Sequence, residues 1–428
     1  KPQTPNPKPQ TPNPKPRSLY NIMHKETESA RIKNMYFGDN PILDWQMKNW
    51  STVDVVVFRA NNRTNKEWRD HFRRNIDERI RPFFSTGKYE RTDYPIPYVS
   101  KDRLFNFKSF TVVPGMRNSH FQLHNNFLAV SSQDFIYPVK SSEGNIDLVH
   151  FNNQTQEKKI LLTKHVITCM DVYGNYLLVG HDGGEISLID LEASELKGSY
   201  KLQDNHHELI NCLKFLPDRS GGLKAIIGMN KLTVEVWDLE NSRTMTSNIA
   251  VDYFVNDLAV NKDMTSVALG YDALQVDVFD IRSSRRSSSL LGHEDYSFSV
   301  DFHDNQWQLA SGNQDCSTRI WDLRANKEMA CLPTCHNASY LVRYAKNSSY
   351  LLVGEGKSYV SAFDTRLDYT MKSSVDYFGE LVGLDVSKDS GEVYIGIGEM
   401  YAEVNPGILR LALGPQMQPI LPDELEEY

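Results

Sequence analysis

An aspartate recurs along this chain at nearly constant intervals, and each time it closes a short run of alternating apolar residues. The runs are EISLID ending at Asp190, TVEVWD at Asp238, QVDVFD at Asp280, STRIWD at Asp322 and SYVSAFD at Asp364, with successive spacings of 48, 42, 42 and 42 residues. Alternation over so few residues is the pattern of a strand, and a fixed period in the low forties with turn residues between is the signature of four-stranded propeller blades. One such unit cannot bury its own faces, so the units must stack around an axis. Two weaker copies, NIDLVHF (145–151) and GILRLAL (407–413), bring the count to seven. The last copy runs out of chain after its third strand. Its outer strand is therefore expected from the N-terminal side, with TVDVVVF (52–58) as the candidate, because closing the ring removes exposed sheet edges.

The strongest copy reads LLGHEDYSFSVDFHDNQWQLASGNQDCSTRIWDLR, residues 290–324, and it resembles a WD40 repeat. Gly292-His293, Ser311, Asp315 and Trp321-Asp322 all fall at that family's spacing. The resemblance implies an all-β, seven-bladed WD40 propeller in which His293, Ser311, Asp315 and Trp321 form a buried hydrogen-bond relay. Polar groups are tolerable in a core only when each has a partner. A Ser-His-Asp set also suggests a catalytic triad, but the relay accounts for the tryptophan as well, so no catalytic residue is expected. The other blades depart from the pattern. Only Trp237 and Trp321 keep the Trp-Asp step, and no other blade has the Gly-His pair at the matching position.

A closer resemblance is carried by GHEDYSFSVDFH, GNQDCSTRIWDLR, VDYFGELVGLDVS and EVYIGIG together. The combination is similar to a group of fungal and plant WD-repeat proteins that includes a yeast substrate receptor of the GID ubiquitin ligase. That resemblance implies recognition of protein N-termini and docking, through the C-terminal tail, to a helical-repeat scaffold of a ligase. In the register of the best blade, Glu208, Phe254, Tyr296 and Glu380 precede inner strands, and Asp182, Asp272, Glu355 and Glu399 sit in the turns between second and third strands. Both sets converge on one face around the channel. An acidic, aromatic opening suits a positively charged peptide end; solvated loop acids are the plainer reading of any one of them. In the tail MQPILPDELEEY (417–428), Leu421, Leu425 and Tyr428, with Ile420, are apolar anchors among four acids. By resemblance they dock the ligase; a disordered acidic end is the alternative.

Charge and composition bound the remaining classes. With 47 Lys and Arg against 55 Asp and Glu, the net charge is −8, which disfavours a nucleic-acid partner. Five cysteines suit free thiols in a reducing compartment, and the lone Cys331, Cys335, His336 cluster lacks a second ligand pair, so neither metal nor cofactor is expected. Apolar runs are strand-sized, so no membrane span is expected, and cytoplasm or nucleus is the expected location. The organisation reads as a proline-rich arm (1–17), an extension (18–103), the propeller (104–414) and an acidic tail (415–428). The extension contains one amphipathic helix (65–81) carrying Trp68, Phe72, Ile76 and Ile80. RSSRRSSS (282–289) is a polar loop or a site for a basic-directed kinase. The functional expectation is a non-enzymatic substrate receptor that binds proteins; a general scaffold in signalling or trafficking is the alternative. No phosphate-binding loop or ligand set favours an enzyme.

Overall fold

The recurring aspartates act first on their own turns. Asp322 Oδ1 accepts the backbone N–H of Arg324 at 2.9 Å and of Ala325 at 3.4 Å. Asp190 does the same for Glu192 and Ala193, Asp238 for Glu240, Asp280 for Ser283 and Asp364 for Arg366. A side chain that captures its own following amides reverses the chain without help from a partner strand. In three of these turns the fourth residue on, Ser194, Ser284 or Asn326, adopts a positive φ of 53–54° that completes the reversal. Asn152 takes this place in the first blade, its Oδ1 accepting from Gln154 and Thr155.

The protein is seen in a computed structural model, which describes residues 104–414 except 117–125, 132–133, 142–143, 165, 203–208, 218–221, 241–243, 335–337, 346, 356, 388–390 and 399–405. The pair Tyr98–Val99 is also described. Among the described residues there are five four-stranded antiparallel sheets and one larger sheet. The fifth blade shows the plan: Ser297–Phe302 is innermost, followed outward by Gln308–Asn313, Ser317–Asp322 and Lys327–Pro333. The larger sheet is two blades joined by one strand, Met371–Val386, which pairs with Lys357–Asp364 as the outer strand of blade 6 and with Glu392–Gly398 as the inner strand of blade 7. Inner strands touch in sequence from Ala129–Ser131 through Ile167–Tyr173 and onward to Met371–Val386, which returns to Ala129–Ser131. The chain is therefore a seven-bladed β-propeller.

The ring closes with a strand from the N-terminal side, but its identity corrects the expectation. Phe105–Val112 runs antiparallel to Gly407–Leu413 as the outer strand of blade 7. The proposed strand 52–58 lies outside the described residues, as do the expected helix 65–81 and the tail 415–428. Phe105–Val112 carries three phenylalanines on an eight-residue run that no repeat announces, so periodicity alone passes over it. The seam is then tied by side chains: Asp385 Oδ2 accepts Val130 N–H at 2.8 Å, and Asn126 Oδ1 accepts Leu384 N–H at 3.0 Å.

A second periodic series explains how the blades approach each other. Gly180, Gly228, Gly270, Gly312, Gly354 and Gly396 repeat at the same 48- and 42-residue spacings as the aspartates and lie on the second strands. Each faces a β-bulge in its own inner strand, such as the shift between Ser297 and Ser299 opposite Gly312. The next blade's inner strand crosses at this point in most of the series. A Cβ on Gly312 would stand 2.8 Å from the Ser339 carbonyl oxygen, and one on Gly354 would stand 2.5 Å from Leu381 Cδ2. Second strands are consequently covered on both faces: Gln308–Asn313 and Tyr350–Glu355 are buried at every residue. Strands covered twice read as continuous runs rather than alternation. Among the described residues no helix is long and apolar enough to cross a membrane.

Two alanine substitutions test this account. Gly312→Ala should cost about 1–3 kcal/mol because the clash is with backbone, whereas Gly270→Ala, whose Cβ would meet nothing closer than 3.4 Å, should stay within about 1 kcal/mol of the parent. Urea unfolding midpoints of the two variants provide the comparison.

Candidate functional site

The polar residues of the best repeat meet in one buried chain. His293 Nδ1 lies 2.9 Å from Asp315 Oδ2, His293 Nε2 lies 2.7 Å from Ser311 Oγ, and Trp321 Nε1 donates to Ser311 Oγ at 2.8 Å. Every group is satisfied if His293 is neutral with its proton on Nδ1: Nδ1–H donates to Asp315, and the Ser311 hydroxyl donates to Nε2 while accepting from Trp321. Burial lowers the pKa of His293 and so favours the neutral ring. Burial alone would raise Asp315, but His293 and further hydrogen bonds outweigh it and hold the carboxyl below its ordinary value. The imidazole and carboxyl are 0% and 2% exposed, so the set links strands rather than meeting solvent.

Blades 2 to 6 each place a polar residue at one equivalent position, the middle of the third strand, and each satisfies it differently. Ser187 meets His181 Nε2 at 2.9 Å; Glu235 accepts from Trp237 Nε1 at 2.7 Å and pairs with Lys231; Asp277 pairs with Arg286 at 3.1 Å. Arg319 pairs with Glu328 and Ser361 meets Ser374 at 2.8 Å. Only the blade-5 relay was visible as a motif, because a motif search looks for identical residues where the fold requires only a satisfied polar pair.

A charged lattice runs along the inner strands. Asp171 accepts Phe215 N–H at 2.8 Å, Asp257 accepts Val300 N–H at 3.1 Å and Asp301 accepts Tyr344 N–H at 2.7 Å, each reaching from one blade to the next. Asp385 at the seam completes the series. Lys214 bonds Asp171 at 2.8 Å, and Arg343 stands 3.9 Å from Asp257. Burial works against the charge of both cations, but the surrounding aspartates overcome it and hold them protonated. Asp301 is pushed up to about 6 by burial, and Asp385 is raised by burial too. A cavity of about 20 Å³ lies among Lys214, Asp257, Arg343, Asn211 and Phe298.

The rim residues fall into three groups. Phe254 and Tyr296 are exposed, at 44% and 46%, and Asp272 is exposed beside them. Asp182 and Glu380 are half-buried on the same face. Glu355 is a correction: it is fully buried at the end of Tyr350–Glu355 and takes no part in an exposed rim, because a residue ending a doubly covered strand is covered with it. Glu208 and Glu399 lie outside the described residues, as do Leu421, Leu425, Tyr428, Cys335 and His336. Exposed apolar residues that the reading missed, Leu232, Tyr253, Leu274 and Leu291, sit on this face over blades 3 and 4. Their signal is an apolar side chain inside a turn, which periodicity averages away. Three cations near this face are paired: Lys164 with Glu185 at 2.7 Å, Lys231 with Glu235 at 2.5 Å and Arg286 with Asp252 at 2.5 Å.

Comparison with known proteins agrees with the architecture and goes no further. No protein-family model matches the sequence, and no curated protein matches it. A chain in a structure described as "Crystal Structure of Mitotic Checkpoint Complex" is similar with a TM-score of 0.61 and 15% identity, over 76% of this chain and 98% of that one. The likeness is shared by 1845 solved chains, so it speaks for the fold and singles out no partner.

Two measurements probe the buried polar groups. Ser311→Ala strands His293 Nε2 and Trp321 Nε1 together and should cost about 2–4 kcal/mol, since each orphaned buried group costs about 1–3 kcal/mol; the difference in unfolding free energy reads it directly. His181 is lowered to about 4, by burial first and then by Lys164. The unfolded chain therefore binds a proton below pH 6.5 that the folded chain refuses until about pH 4. This contribution is intact above pH 6.5 and lost as pH falls from there to 4, by up to about 3 kcal/mol. Asp301, raised in the folded state, shifts the other way below pH 6. His181→Asn should flatten the stability profile specifically between pH 6.5 and 4 relative to the parent.

Proposed function

We propose that this chain is a non-enzymatic protein-interaction propeller acting as a substrate receptor of a GID-type ubiquitin ligase. The face formed by the loops before the inner strands and the turns after the second strands takes the N-terminus of a substrate, and the tail 417–428 takes the ligase scaffold. The observation that carries the reading is the exposed Asp272, hydrogen-bonded through its backbone to the loop of the exposed Phe254 and linked by Asn256 to the loop of the exposed Tyr296. A carboxylate attracts an ammonium group, and aromatic faces add to that attraction while covering the first side chains. The polar sets with enzyme-like chemistry are consumed inside blades, as the 0% exposure of His293 illustrates. The sequence resemblance to a group containing a ligase receptor supplies the degradation role, and the acidic tail with its apolar anchors suits a basic groove.

A propeller that scaffolds other proteins without any link to degradation is the second reading, favoured by how widely this fold is shared among solved chains. Affinity capture from cell extract separates the two. Ligase subunits should co-purify with the intact chain and disappear when 417–428 is removed. If none appear with either form, the degradation role is withdrawn and the scaffold reading takes its place.

A further inference from the structure

We infer that the substrate's N-terminus is seated off the propeller axis, on a radial track across blade 4, with its α-ammonium on Asp272 and its following apolar side chains over Leu274 and Leu291. This rests on the receptor reading above and adds where the ligand lies and which residues it requires. Asp272 sits in the turn between Ser266–Tyr271 and Gln275–Asp280, and its N–H donates to the Phe254 carbonyl at 3.1 Å. Asn256 Nδ2 is the bridge to blade 5, donating to Asp272 Oδ1 at 2.8 Å and to the Ser297 carbonyl at 3.1 Å, next to Tyr296. Asp272 is thereby tied to the two loops that carry the exposed Phe254 and Tyr296. Its Oδ1 faces Asn256, and among the described residues its Oδ2 has no hydrogen-bond partner and the carboxylate has no ion pair. An exposed carboxylate with an uncommitted oxygen, beside loops that carry two exposed aromatic residues, matches a primary ammonium in charge and offers its neighbours aromatic cover.

The order of strands gives the track its direction. Phe254 and Tyr296 precede inner strands, Asp272 follows the second strand, Leu274 precedes the third and Leu291 ends the fourth. Gln275 and Leu291 are paired across the third and fourth strands, and Leu274 immediately precedes Gln275, so both leucines lie at this end of the blade, at 41% and 59% exposure. Four strands at the usual spacing span about 14 Å, the length of about four extended residues. Ammonium first and apolar groups outward is therefore the only order in which an extended peptide meets both kinds of group here. The axis itself offers less: its aspartates are bonded to neighbouring blades and its cations repel an ammonium.

The test uses the purified full-length chain on an array of peptides randomised over their first four residues, displayed with free and with acetylated N-termini. Free N-termini should be retained at least about tenfold better than acetylated ones, with apolar residues enriched after the first position. Asp272→Asn should remove that preference at an unchanged melting temperature, and Leu274→Ser with Leu291→Ser should remove the apolar enrichment while leaving the dependence on a free amine. The inference is overturned if acetylation makes no difference, if neither peptide set is retained, or if retention survives Asp272→Asn and is lost instead in Glu380→Gln. Ligase capture through 417–428 is independent of all these arms, so failure of the seat and failure of the receptor reading are told apart.

Discussion

Seven blades can stack around one axis only where each lets the next one's inner strand come close, and at four of these approaches the room is left by glycine. Gly180, Gly228, Gly312 and Gly354 each occupy a place where a single methyl group would strike a neighbour within 3 Å. At all four places the neighbour struck, or the next one out, belongs to the following blade: Ile210, Val255, Ser339 and Leu381. The β-bulge opposite each glycine bends the inner strand at the same height. Close approach, bulge and burial on both faces of the second strand thus arise from one constraint, repeated every 42 residues with a single longer step.

Close packing on both faces leaves little room for error in the polar groups it encloses. The third strands of blades 2 to 6 answer with a different polar pair in each, from the Ser187–His181 contact to the Arg319–Glu328 ion pair. The inner strands answer with aspartates that cap amides of the following blade. Because the partners differ from blade to blade, blade 3 cannot exchange its Glu235–Trp237 arrangement for the Arg319–Glu328 pair of blade 5 without orphaning a charge. Variation among repeats therefore fixes each blade to its own place in the ring, a use of buried polar groups that costs stability and adds specificity.

The same geometry leaves the face formed by the inner-strand loops as the part of the molecule free to diversify. Its turns keep small anchors such as Val251 and Ala273 in the core while Phe254, Asp272 and Tyr296 stand in solvent. Loops held by a rigid scaffold are where recognition ordinarily resides. Among the described residues, exposed apolar side chains of this face lie over blades 3 to 5, and the inner strands carry a bonded charge lattice.

The seven-blade architecture was legible in the sequence because in blades 2 to 6 an aspartate makes the turn after the third strand through its own following amides, a local device that repeats with the blade. The blade-5 relay was legible for a similar reason: His293, Ser311, Asp315 and Trp321 are separated by fixed numbers of residues within one repeat. The rim was legible in part. Register placed Phe254, Tyr296 and Asp272 on one face, but it took the three-dimensional structure to bury Glu355 and to add Leu274 and Leu291. Tertiary structure alone decided which segment closes the ring, because Phe105–Val112 is chosen by its fit to Gly407–Leu413, some 300 residues away, and not by any local pattern. It also decided which acids are spent on neighbouring blades and which remain available to a partner. Local turn chemistry is written in neighbouring residues, whereas closure, burial and charge pairing depend on residues that meet only after the chain has gone all the way round.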